Sequence, residues 1–376
     1  MIIDFELLER TRSRYREGEP GVETLVARLG AEADAFLRKG PYSVMDKKFT
    51  PPSGDKHDFM SLRLYYWPNP STADGLPYVK RDCVRNPDYV LYDRVPLGDL
   101  CTGVKVLGLA YYLTGKEVYG AHACRLIRGW FFDAATRMNP NLNFASYAPG
   151  LDLHKDGNGI IGSINFTRLL DAIPFLDEHP DWTAAERTQL RDWFRAYRDW
   201  MLNSEPGRTE QNTKNNHGLW YDVQILCFSL FIGEEAFASN YLKTTTLPRI
   251  GQQIEPDGEM PHETRRPSGL HYTEYNLNAL LDLATLAQRL GMDLFGYTTP
   301  DGRGIRPALD WALPYFLNPS SWPYQQINEF QPGKCVAHLY RFARAYGDPA
   351  LIETARQLQG WEKISAYTLL TQCQYE

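Results

Sequence analysis

Two short stretches of the sequence hold side chains that could carry out acid–base chemistry together. Asn215, Asn216 and His217 are consecutive, and Arg266 and Tyr272 follow later in the chain. These residues supply amides, an imidazole, a guanidinium and a phenol, whereas the sequence contains no P-loop, no HExxH metal motif and no Ser-His-Asp order. Such a set suits removal of a proton from the carbon beside a carboxylate, followed by loss of an oxygen from the β carbon.

A sugar acid (a uronate) is a suitable substrate for this reaction. Its α proton is barely acidic while the neighbouring carboxylate keeps its charge, so Asn216, His217 and Arg266 around that carboxylate would neutralise it and stabilise an enolate-like intermediate. An unperturbed tyrosine has a pKa of about 10, and a neighbouring cation favours its ionised form. We therefore predict that Tyr272 beside Arg266 acts as base, acid or both, with His217 as the alternative base.

Each stretch also has a simpler structural interpretation. Asn is a favoured residue at a helix N-cap, and Gly218 suits a tight entry into a helix. Capping accounts for one Asn but not for two Asn and a His together. Arg266 alone could be a solvated arginine ahead of a surface helix. The presence of both clusters in one chain favours chemistry.

The stretch that holds Tyr272 predicts an amphipathic helix between a cap at Ser268 and a stop at Gly291. This helix would carry Tyr272 in its first turn, with Arg266 just before it, near the positive end of the helix dipole where an anion is readily held. Its apolar residues recur at the spacing of one buried face: Leu277, Leu280, Leu281, Ala284 and Ala287.

The rest of the chain is also predicted to be helical. From Leu97 onward apolar residues recur at three- and four-residue spacing, and a further helix is predicted over residues 21–39. Strand-like alternation is almost absent and no repeat of fixed period occurs, so stacked helical hairpins are expected. We predict an all-α fold, an α/α toroid formed as an incomplete barrel of helical hairpins, with residues 1–376 as a single domain.

Residues 40–82 interrupt this helical pattern. The first part is rich in Pro, Gly and Lys, and residues 61–82 are aromatic at first and rich in turn residues afterwards. We predict a long ordered loop here, and loops of this length in compact domains are often functional.

The composition argues against several classes of protein. A net charge of −6 disfavours binding to nucleic-acid phosphates, although a local basic site could still bind an acidic ligand. With 43% hydrophobic residues the chain can bury a sizeable core, and no apolar run is long enough to span a membrane. The 13% of aromatic residues slightly favours a carbohydrate ligand, because aromatic rings stack on sugars.

The cysteines and the N terminus give weaker information. The six cysteines are scattered without a CxxC pair, which argues against a zinc knuckle or a disulfide scaffold. Cys101, Cys124 and Cys227 fall in apolar helical patterns and are predicted to be buried thiols. The N terminus contains acids and arginines but no apolar signal core. We expect a cytoplasmic protein, or a periplasmic or secreted one if an export signal was removed.

Several motifs resemble the alginate lyase superfamily of polysaccharide lyases. They are, in chain order, KHDFMSLRLYYWPNP, ATRMNPNLNF, NNHGLWYDVQ, the E-x-x-R-x-x-x-x-x-Y run that ends at Tyr272, and DGRGIRPALDWALPY. The resemblance covers most of the chain, from roughly Lys56 to Tyr315, and several long motifs in order make it specific.

The resemblance implies an α/α-toroid fold and a catalytic set made of Asn216, His217, Arg266 and Tyr272. In this set Asn216 and His217 neutralise or assist at the substrate carboxylate, Arg266 is the cationic partner and Tyr272 is the catalytic tyrosine. An acidic polysaccharide or oligosaccharide is the expected substrate, and neither a metal nor another cofactor is expected. The resemblance also suggests that the loop within residues 40–82 borders the substrate cleft.

A wider set of polar and aromatic residues is predicted to bind the substrate. Lys56 and His57 stand beside three aromatic residues, an arrangement that would suit an acidic sugar. The same aromatic rings could instead only pack the loop, and Asn-Pro-Asn is also a common turn. The predicted binding residues are Lys56, His57, Tyr65, Tyr66, Trp67, Asn141, Asn215, Glu263, Arg265 and His271.

The leading hypothesis is a lyase that cleaves a 1,4-linked polyuronate by β-elimination. Alginate (polymannuronate included) and β-1,4-glucuronan are both open, because the shape of the pocket decides between them. One alternative is a glycoside hydrolase on a helical toroid, which would need two carboxylates from among Asp222, Glu259 and Glu263. Another is a sugar-binding helical module without activity, which would leave the polar clusters unexplained.

Overall fold

Most of the chain is helical. The computed structural model describes residues 2–153 and 155–373, and within those ranges no helix is both long and apolar enough to cross a membrane. Strands are few and short. The predicted all-α class is therefore confirmed.

The helices of the described residues follow one another along the whole chain. They are α1 (Phe5–Arg16), α2 (Pro20–Phe36), α3 (Arg94–Thr114), α4 (Glu117–Phe131), α5 (Asn165–Ala172), α6 (Ala184–Asn203), α7 (Glu205–Gln211), α8 (Asn216–Phe231), α9 (Glu235–Tyr241), α10 (Leu247–Gln253), α11 (Pro261–Thr264), α12 (Gly269–Arg289), α13 (Ile305–Leu317), α14 (Cys335–Tyr346), α15 (Ala350–Gln357) and α16 (Ala366–Thr371). The N-terminal end of α8 and the region from α11 to the start of α12 carry the residues predicted to do chemistry.

The segment predicted as a long loop contains short strands as well as turns. Strand β1 (Met60–Leu62) pairs in parallel with β4 (Phe144–Tyr147), and β2 (Tyr66–Trp67) pairs antiparallel with β3 (Val79–Lys80). Met60 and Leu62 are buried against a cluster of aromatic rings that includes Tyr92. The segment was predicted as a loop without strands, whereas strand pairing and aromatic packing hold it in addition to turns.

The chain forms two compact units. The first unit contains the described residues of 1–32, 214–226 and 234–376, and the second contains those of 33–213 and 227–233. Helices α2 and α8 each have residues in both units. The single domain over residues 1–376 stays a prediction.

Helix α12 is largely buried within the first unit. Its predicted apolar face, from Leu277 to Ala287, is buried throughout. It packs against α13 and α14, and Arg341 of α14 forms a buried ion pair with Asp282 of α12 at 2.8 Å. The helix is thus fixed along its length, which in turn fixes the side chains of its first turn.

The end of α12 is also as predicted. Gly291 has a φ of 71°, a left-handed conformation that glycine adopts without steric cost. Its N–H donates to the carbonyl of Gln288 at 3.0 Å, which satisfies one of the last carbonyls of the helix. Gly291 therefore stops the helix.

Aromatic residues fill much of the core of the second unit. The ring centres of Phe131 and Trp193 are 4.8 Å apart in an edge-to-face contact, and those of Trp193 and Tyr197 are 5.3 Å apart in a stack. Phe166 and Phe194 complete this buried cluster. Much of the aromatic content that favoured a carbohydrate ligand is therefore core packing.

The cysteines in the helical patterns are buried, as predicted. Cys101, Cys124 and Cys227 lie on α3, α4 and α8 and have at most 2% of their surface exposed. Burial raises the pKa of Cys124 to about 12. These three side chains therefore pack in the core.

Candidate active site

Asn215 builds the N-terminal turn of α8. Its side-chain oxygen accepts a hydrogen bond from the backbone N–H of His217 at 3.3 Å, and its carbonyl accepts one from Gly218 at 3.0 Å. Gln253 Nε2 donates to the same carbonyl at 3.3 Å. Asn215 therefore fills the capping role by itself, and Asn216 and His217 serve other contacts.

The buried carboxylate of Glu263 holds Asn216. The backbone N–H of Asn216 donates to Glu263 Oε1 at 2.6 Å, and its Nδ2 donates to Oε2 at 2.7 Å. Both residues are 0% exposed, and the side-chain oxygen of Asn216 has no hydrogen-bond partner within the described chain. Buried acceptors are almost always paired. The amide is therefore only partly satisfied in this arrangement, and its orientation depends on Glu263.

Arg266 is the arginine that reaches the tyrosine. Its guanidinium carbon lies 3.9 Å from the centre of the Tyr272 ring, and Tyr272 is 8% exposed. Arg265, the preceding residue, is exposed, whereas Arg266 is half-buried. A guanidinium over an aromatic ring makes a cation–π contact, in which the face of the ring attracts the positive charge. Arg266 and Tyr272 are therefore in contact, and their roles in the reaction stay predictions.

A single short turn joins Glu263 to Arg266. Glu263 lies in α11, and its carbonyl accepts a hydrogen bond from the backbone N–H of Arg266 at 3.0 Å. Thr264 Oγ1 also donates to Glu259 at 2.6 Å, which ties the turn to the segment before it. The turn thus sets the carboxylate that holds Asn216 and the cation that covers Tyr272 at a fixed interval.

Burial perturbs the acid–base behaviour of Glu263. Desolvation raises its pKa to about 7, although the hydrogen bonds from Asn216 and the positive charges of Arg266 and His217 act in the opposite direction. The loss of hydration is the largest of these effects because the carboxylate has no exposed surface. Glu263 therefore titrates close to neutral pH.

A distant segment caps the start of α12. Ser268 occupies the predicted N-cap position, but its side chain makes no capping hydrogen bond. Instead, Gln326 Oε1 accepts from the backbone N–H of Leu270 at 3.0 Å, and the carbonyl of Gln325 accepts from Gly269 at 3.2 Å. The first turn of α12, which carries Tyr272, is therefore anchored by residues that lie after α13.

His271 lies against the catalytic tyrosine candidate. Its ring meets that of Tyr272 edge to face, with the centres 5.5 Å apart, and stacks on Tyr275 at 6.3 Å. Tyr275 in turn contacts Trp220 of α8 at 5.0 Å. His271 thus belongs to a row of rings beside Tyr272, and its ring is partly exposed.

The three carboxylates that a hydrolase could use are each engaged by the protein. Asp222 is 0% exposed and accepts hydrogen bonds from Arg249 at 2.7 Å and from Tyr241 at 2.8 Å. Glu259 binds Thr264 and Glu263 binds Asn216. Glu263, predicted as a substrate contact, has no exposed surface and contacts Asn216 instead. This arrangement does not favour the hydrolase hypothesis.

In the second unit, Lys56, His57 and Asn141 are held by the protein. Lys56 Nζ donates to the carbonyl of Met45 at 3.1 Å, and His57 Nδ1 donates to the carbonyl of Arg137 at 2.6 Å. Asn141 Nδ2 donates to Asp58 Oδ1 at 3.0 Å. These contacts fix the side chains in place, and any role in binding substrate stays a prediction.

The aromatic residues of the same segment are partly exposed. The guanidinium of Arg63 lies 4.7 Å from the ring centre of Tyr66, and that of Arg81 lies 5.3 Å from the ring centre of Trp67. Trp67 Nε1 donates to the carbonyl of Val84 at 2.9 Å. Tyr65, like its neighbours, is half-buried. The rings of Tyr66 and Trp67 are thus paired with cations, and stacking of any of the three rings on a sugar stays a prediction.

Sequence reasoning missed two parts of the candidate site. The hydrogen bonds between Glu263 and Asn216 were not expected, because the residues are far apart in sequence and each has a common alternative role. The capping of α12 by Gln326 was also not expected, since Ser268 offered a local cap. The E-x-x-R spacing places Glu263 one turn before Arg266, and it was the available sign that Glu263 belongs to the site.

The sequence has a clear family match. The family described as alginate lyase matches residues 43–322, which is more than half of the chain. No curated protein matches the chain.

Solved structures support the same family. An alginate lyase from Bacteroides ovatus is 36% identical, with 98% of each chain covered and a TM-score of 0.94. The alginate lyase A1-III from Sphingomonas species A1 is 20% identical, covers 93% of this chain and 94% of its own, and has a TM-score of 0.56, which is a likeness of fold. These matches confirm the predicted α/α-toroid fold class. The chain therefore belongs to the alginate lyase family and is a polysaccharide lyase.

Proposed function

We propose that this lyase cleaves a 1,4-linked polyuronate by β-elimination at the site around Tyr272, and that alginate is its polymer. The observation that carries the proposal is the guanidinium of Arg266 lying 3.9 Å from the centre of the Tyr272 ring. A cation so placed can stabilise a phenolate that removes a proton, and it can also attract the carboxylate of an acidic sugar. The alginate part rests on the family and on the relatives named above.

The reaction begins with the carboxylate on C5 of the uronate. Arg266 and His217 are half-buried and carry the charge or the donors that would neutralise this carboxylate. Asn216 has no exposed surface, so its amide acts from beneath these groups or meets the carboxylate after a neighbouring side chain moves. Neutralisation makes the C5 proton acidic enough to remove.

A base then takes the C5 proton, and the electron pair left on C5 is delocalised into the neutralised carboxyl group. That pair next forms the C4–C5 double bond while the bond from C4 to the glycosidic oxygen breaks. The departing oxygen receives a proton from an acid. We propose Tyr272 as the base, the acid or both, with His217 as the alternative base.

The expected ligand is an oligosaccharide or polysaccharide of acidic sugars. Two variants of alginate lyase A1-III, a histidine-to-alanine and a tyrosine-to-phenylalanine substitution, are known as complexes with a tetrasaccharide. Those complexes support an oligosaccharide ligand for the present chain. We propose that Lys56, His57 and Asn141, together with the partly exposed rings of Tyr65, Tyr66 and Trp67, also contact the sugar.

The test is to incubate the protein with polymannuronate, polyguluronate and glucuronan and to follow the ultraviolet absorbance of the conjugated double bond. Absorbance that rises on polymannuronate or polyguluronate and is lost in Tyr272→Phe is the expected result. A rise on glucuronan alone would correct the substrate. New reducing ends without absorbance would contradict elimination.

A further inference from the structure

Glu263 is the buried acid at the centre of the candidate site, and the elimination itself does not require it. We propose that Glu263 takes up a proton when the acidic substrate binds, and that it works in its neutral form as a positioning residue for Asn216. This inference rests on the proposed function, because it assumes that a sugar carboxylate binds beside Arg266 and His217.

The first argument is electrostatic competition. Glu263 lies one turn before Arg266, and the positive charges of Arg266 and His217 both act on it. A charged Glu263 would offset the field that the substrate carboxylate needs, and two carboxylates that share the same cations disfavour each other's ionised form. Arg266 and His217, which would hold the incoming carboxylate, are partly exposed, whereas Glu263 has no exposed surface and keeps a charge at a greater cost in hydration. The proton therefore goes to Glu263.

The second argument is the orientation of the Asn216 amide. While Glu263 is charged, Nδ2 of Asn216 donates to it, and the side-chain oxygen is left as a buried acceptor without a partner. A protonated Glu263 can still accept the backbone N–H of Asn216 on one oxygen and donate from the other to the amide oxygen after the amide rotates by half a turn. The amide NH₂ then points away from Glu263 and can donate to a carboxylate.

These two states differ in what they offer the substrate. When Glu263 is charged, the side-chain oxygen of Asn216 faces away from Glu263. This oxygen is a hydrogen-bond acceptor, so it repels a substrate carboxylate. With Glu263 neutral, Asn216 turns two N–H donors outward. Substrate binding and protonation of Glu263 therefore favour each other, as linked equilibria must. Because burial raises the pKa of Glu263 to about 7, the free enzyme is already close to the switch at neutral pH.

Other titratable groups near Glu263 must be separated from it in the test. His217 of α8 and Arg266 after α11 act on its carboxylate directly, and Tyr272 of α12 lies against Arg266. Glu263→Gln is the informative variant, because glutamine has the shape of the neutral acid, accepts on one side and donates on the other. Glu274→Gln is the matched control, since Glu274 is also buried with a pKa raised to about 7 but lies against His338 of α14.

The first measurement is proton uptake on binding. A tetrasaccharide of the polymer that the enzyme cleaves is titrated into Tyr272→Phe protein at about pH 8, in buffers of different ionisation enthalpy. In Tyr272→Phe protein we expect the uptake to approach one proton. The double variant of Tyr272→Phe and Glu263→Gln should take up about one proton fewer. The double variant of Tyr272→Phe and Glu274→Gln should take up as much as Tyr272→Phe alone. Equal uptake with and without Glu263 would overturn the proposal.

The second measurement is kinetic. Glu263→Gln is expected to keep kcat within about tenfold of the wild type and to lose the rise in KM between about pH 7 and pH 9, because its amide cannot ionise. A loss of about a hundredfold or more in kcat, in a folded variant, would mean that the charged carboxylate is required and would overturn the proposal. Glu274→Gln should keep the wild-type pH profile.

Failure of the proposed function would look different. If wild-type protein produced no absorbance from any polyuronate, the proposed function would fail before Glu263 was tested. If Glu263→Gln did not fold, the infrared band of a protonated carboxyl group in Tyr272→Phe protein, which retains Glu263, would decide instead. That band should grow on adding the tetrasaccharide, and a band that stays constant would contradict proton uptake.

Discussion

The guanidinium of Arg266 covers the ring of Tyr272 at 3.9 Å, while the adjacent Arg265 points to solvent and is exposed. The sequence contains both arginines, and Arg266 is the one that lies against the phenol ring. This contact therefore separates two residues that the motif alone leaves side by side.

Arg266→Ala should lower kcat by about a hundredfold or more, because a charge that stabilises the developing intermediate is lost. Arg265→Ala should cost less than about tenfold, and mainly in KM, as expected for an exposed contact to an acidic polymer. Steady-state kinetics of the absorbance assay measure both. The assignment of Arg266 would fail if the two variants were equally impaired.

Glu263 makes stability depend on pH in a direction opposite to that of a paired carboxylate. Its pKa is raised to about 7 in the folded chain from 4.5 in the unfolded chain. The unfolded state therefore releases its proton first, and stability falls as pH rises from 4.5 to about 7, by about 3 kcal/mol in total. Below the unfolded pKa this loss is absent.

The change that tests this is Glu263→Gln, followed by urea unfolding at about pH 5 and about pH 8. The free energy of unfolding of the variant, taken relative to wild type, should rise by roughly 2 to 3 kcal/mol between the two values. A constant difference would show that Glu263 ionises normally.

The buried ion pair of Asp222 and Arg249 should matter for stability and not for chemistry. Asp222→Ala leaves a buried guanidinium without its partner, which typically costs about 3–5 kcal/mol. Asp192→Ala removes an ion pair of similar length, 2.6 Å, from an exposed surface and should cost less than about 1 kcal/mol. Chemical unfolding measures both, and comparable losses would mean that the burial of the first pair has little effect.

The cap at the start of α12 can be removed without touching the polar residues of the site. Gln326→Ala deletes the acceptor for the N–H of Leu270 and should cost about 1 kcal/mol of stability, with a fall in kcat because Tyr272 is in the same turn. Gln325→Ala is the control, since Gln325 accepts the N–H of Gly269 with its backbone carbonyl. The role of this cap would be refuted if the two variants behaved alike.

Much of the helical framework could be predicted from the sequence. The leucines of α12 recur at the spacing of one helix face, and Gly291 has the residue type that a left-handed stop requires, so the C-terminal end and the buried face were accessible to local rules. Tyr272 in the first turn, with Arg266 just before it, followed from the same assignment. Periodicity and the glycine stop are local properties, and they predicted these parts of the helix correctly.

The features that the sequence did not predict depend on contacts between residues that are distant in the chain. The bond between Glu263 and Asn216 joins α11 to α8, and the cap from Gln326 joins α12 to the segment after α13. Residue type alone could not predict these two contacts. A glutamate in the sequence is typically expected at the surface, and a serine before a helix is typically expected to cap it. Strand β1, which contains Met60, was not predicted because its partner strand β4 lies beyond position 140 in the sequence.

The turn from Glu263 to Arg266 has a consequence for how such a chain can vary. The hydrogen bond from the backbone N–H of Arg266 to the carbonyl of Glu263 fixes the interval between these two residues. Glu263 holds Asn216, and Arg266 covers the ring of Tyr272. Substitutions at Thr264 or Arg265 change the side chains within the interval, but an insertion of one residue would displace both ends at once. The length of this interval is thus the feature that must be inherited intact, and a graft of the site onto another helical scaffold would have to transfer it as one piece.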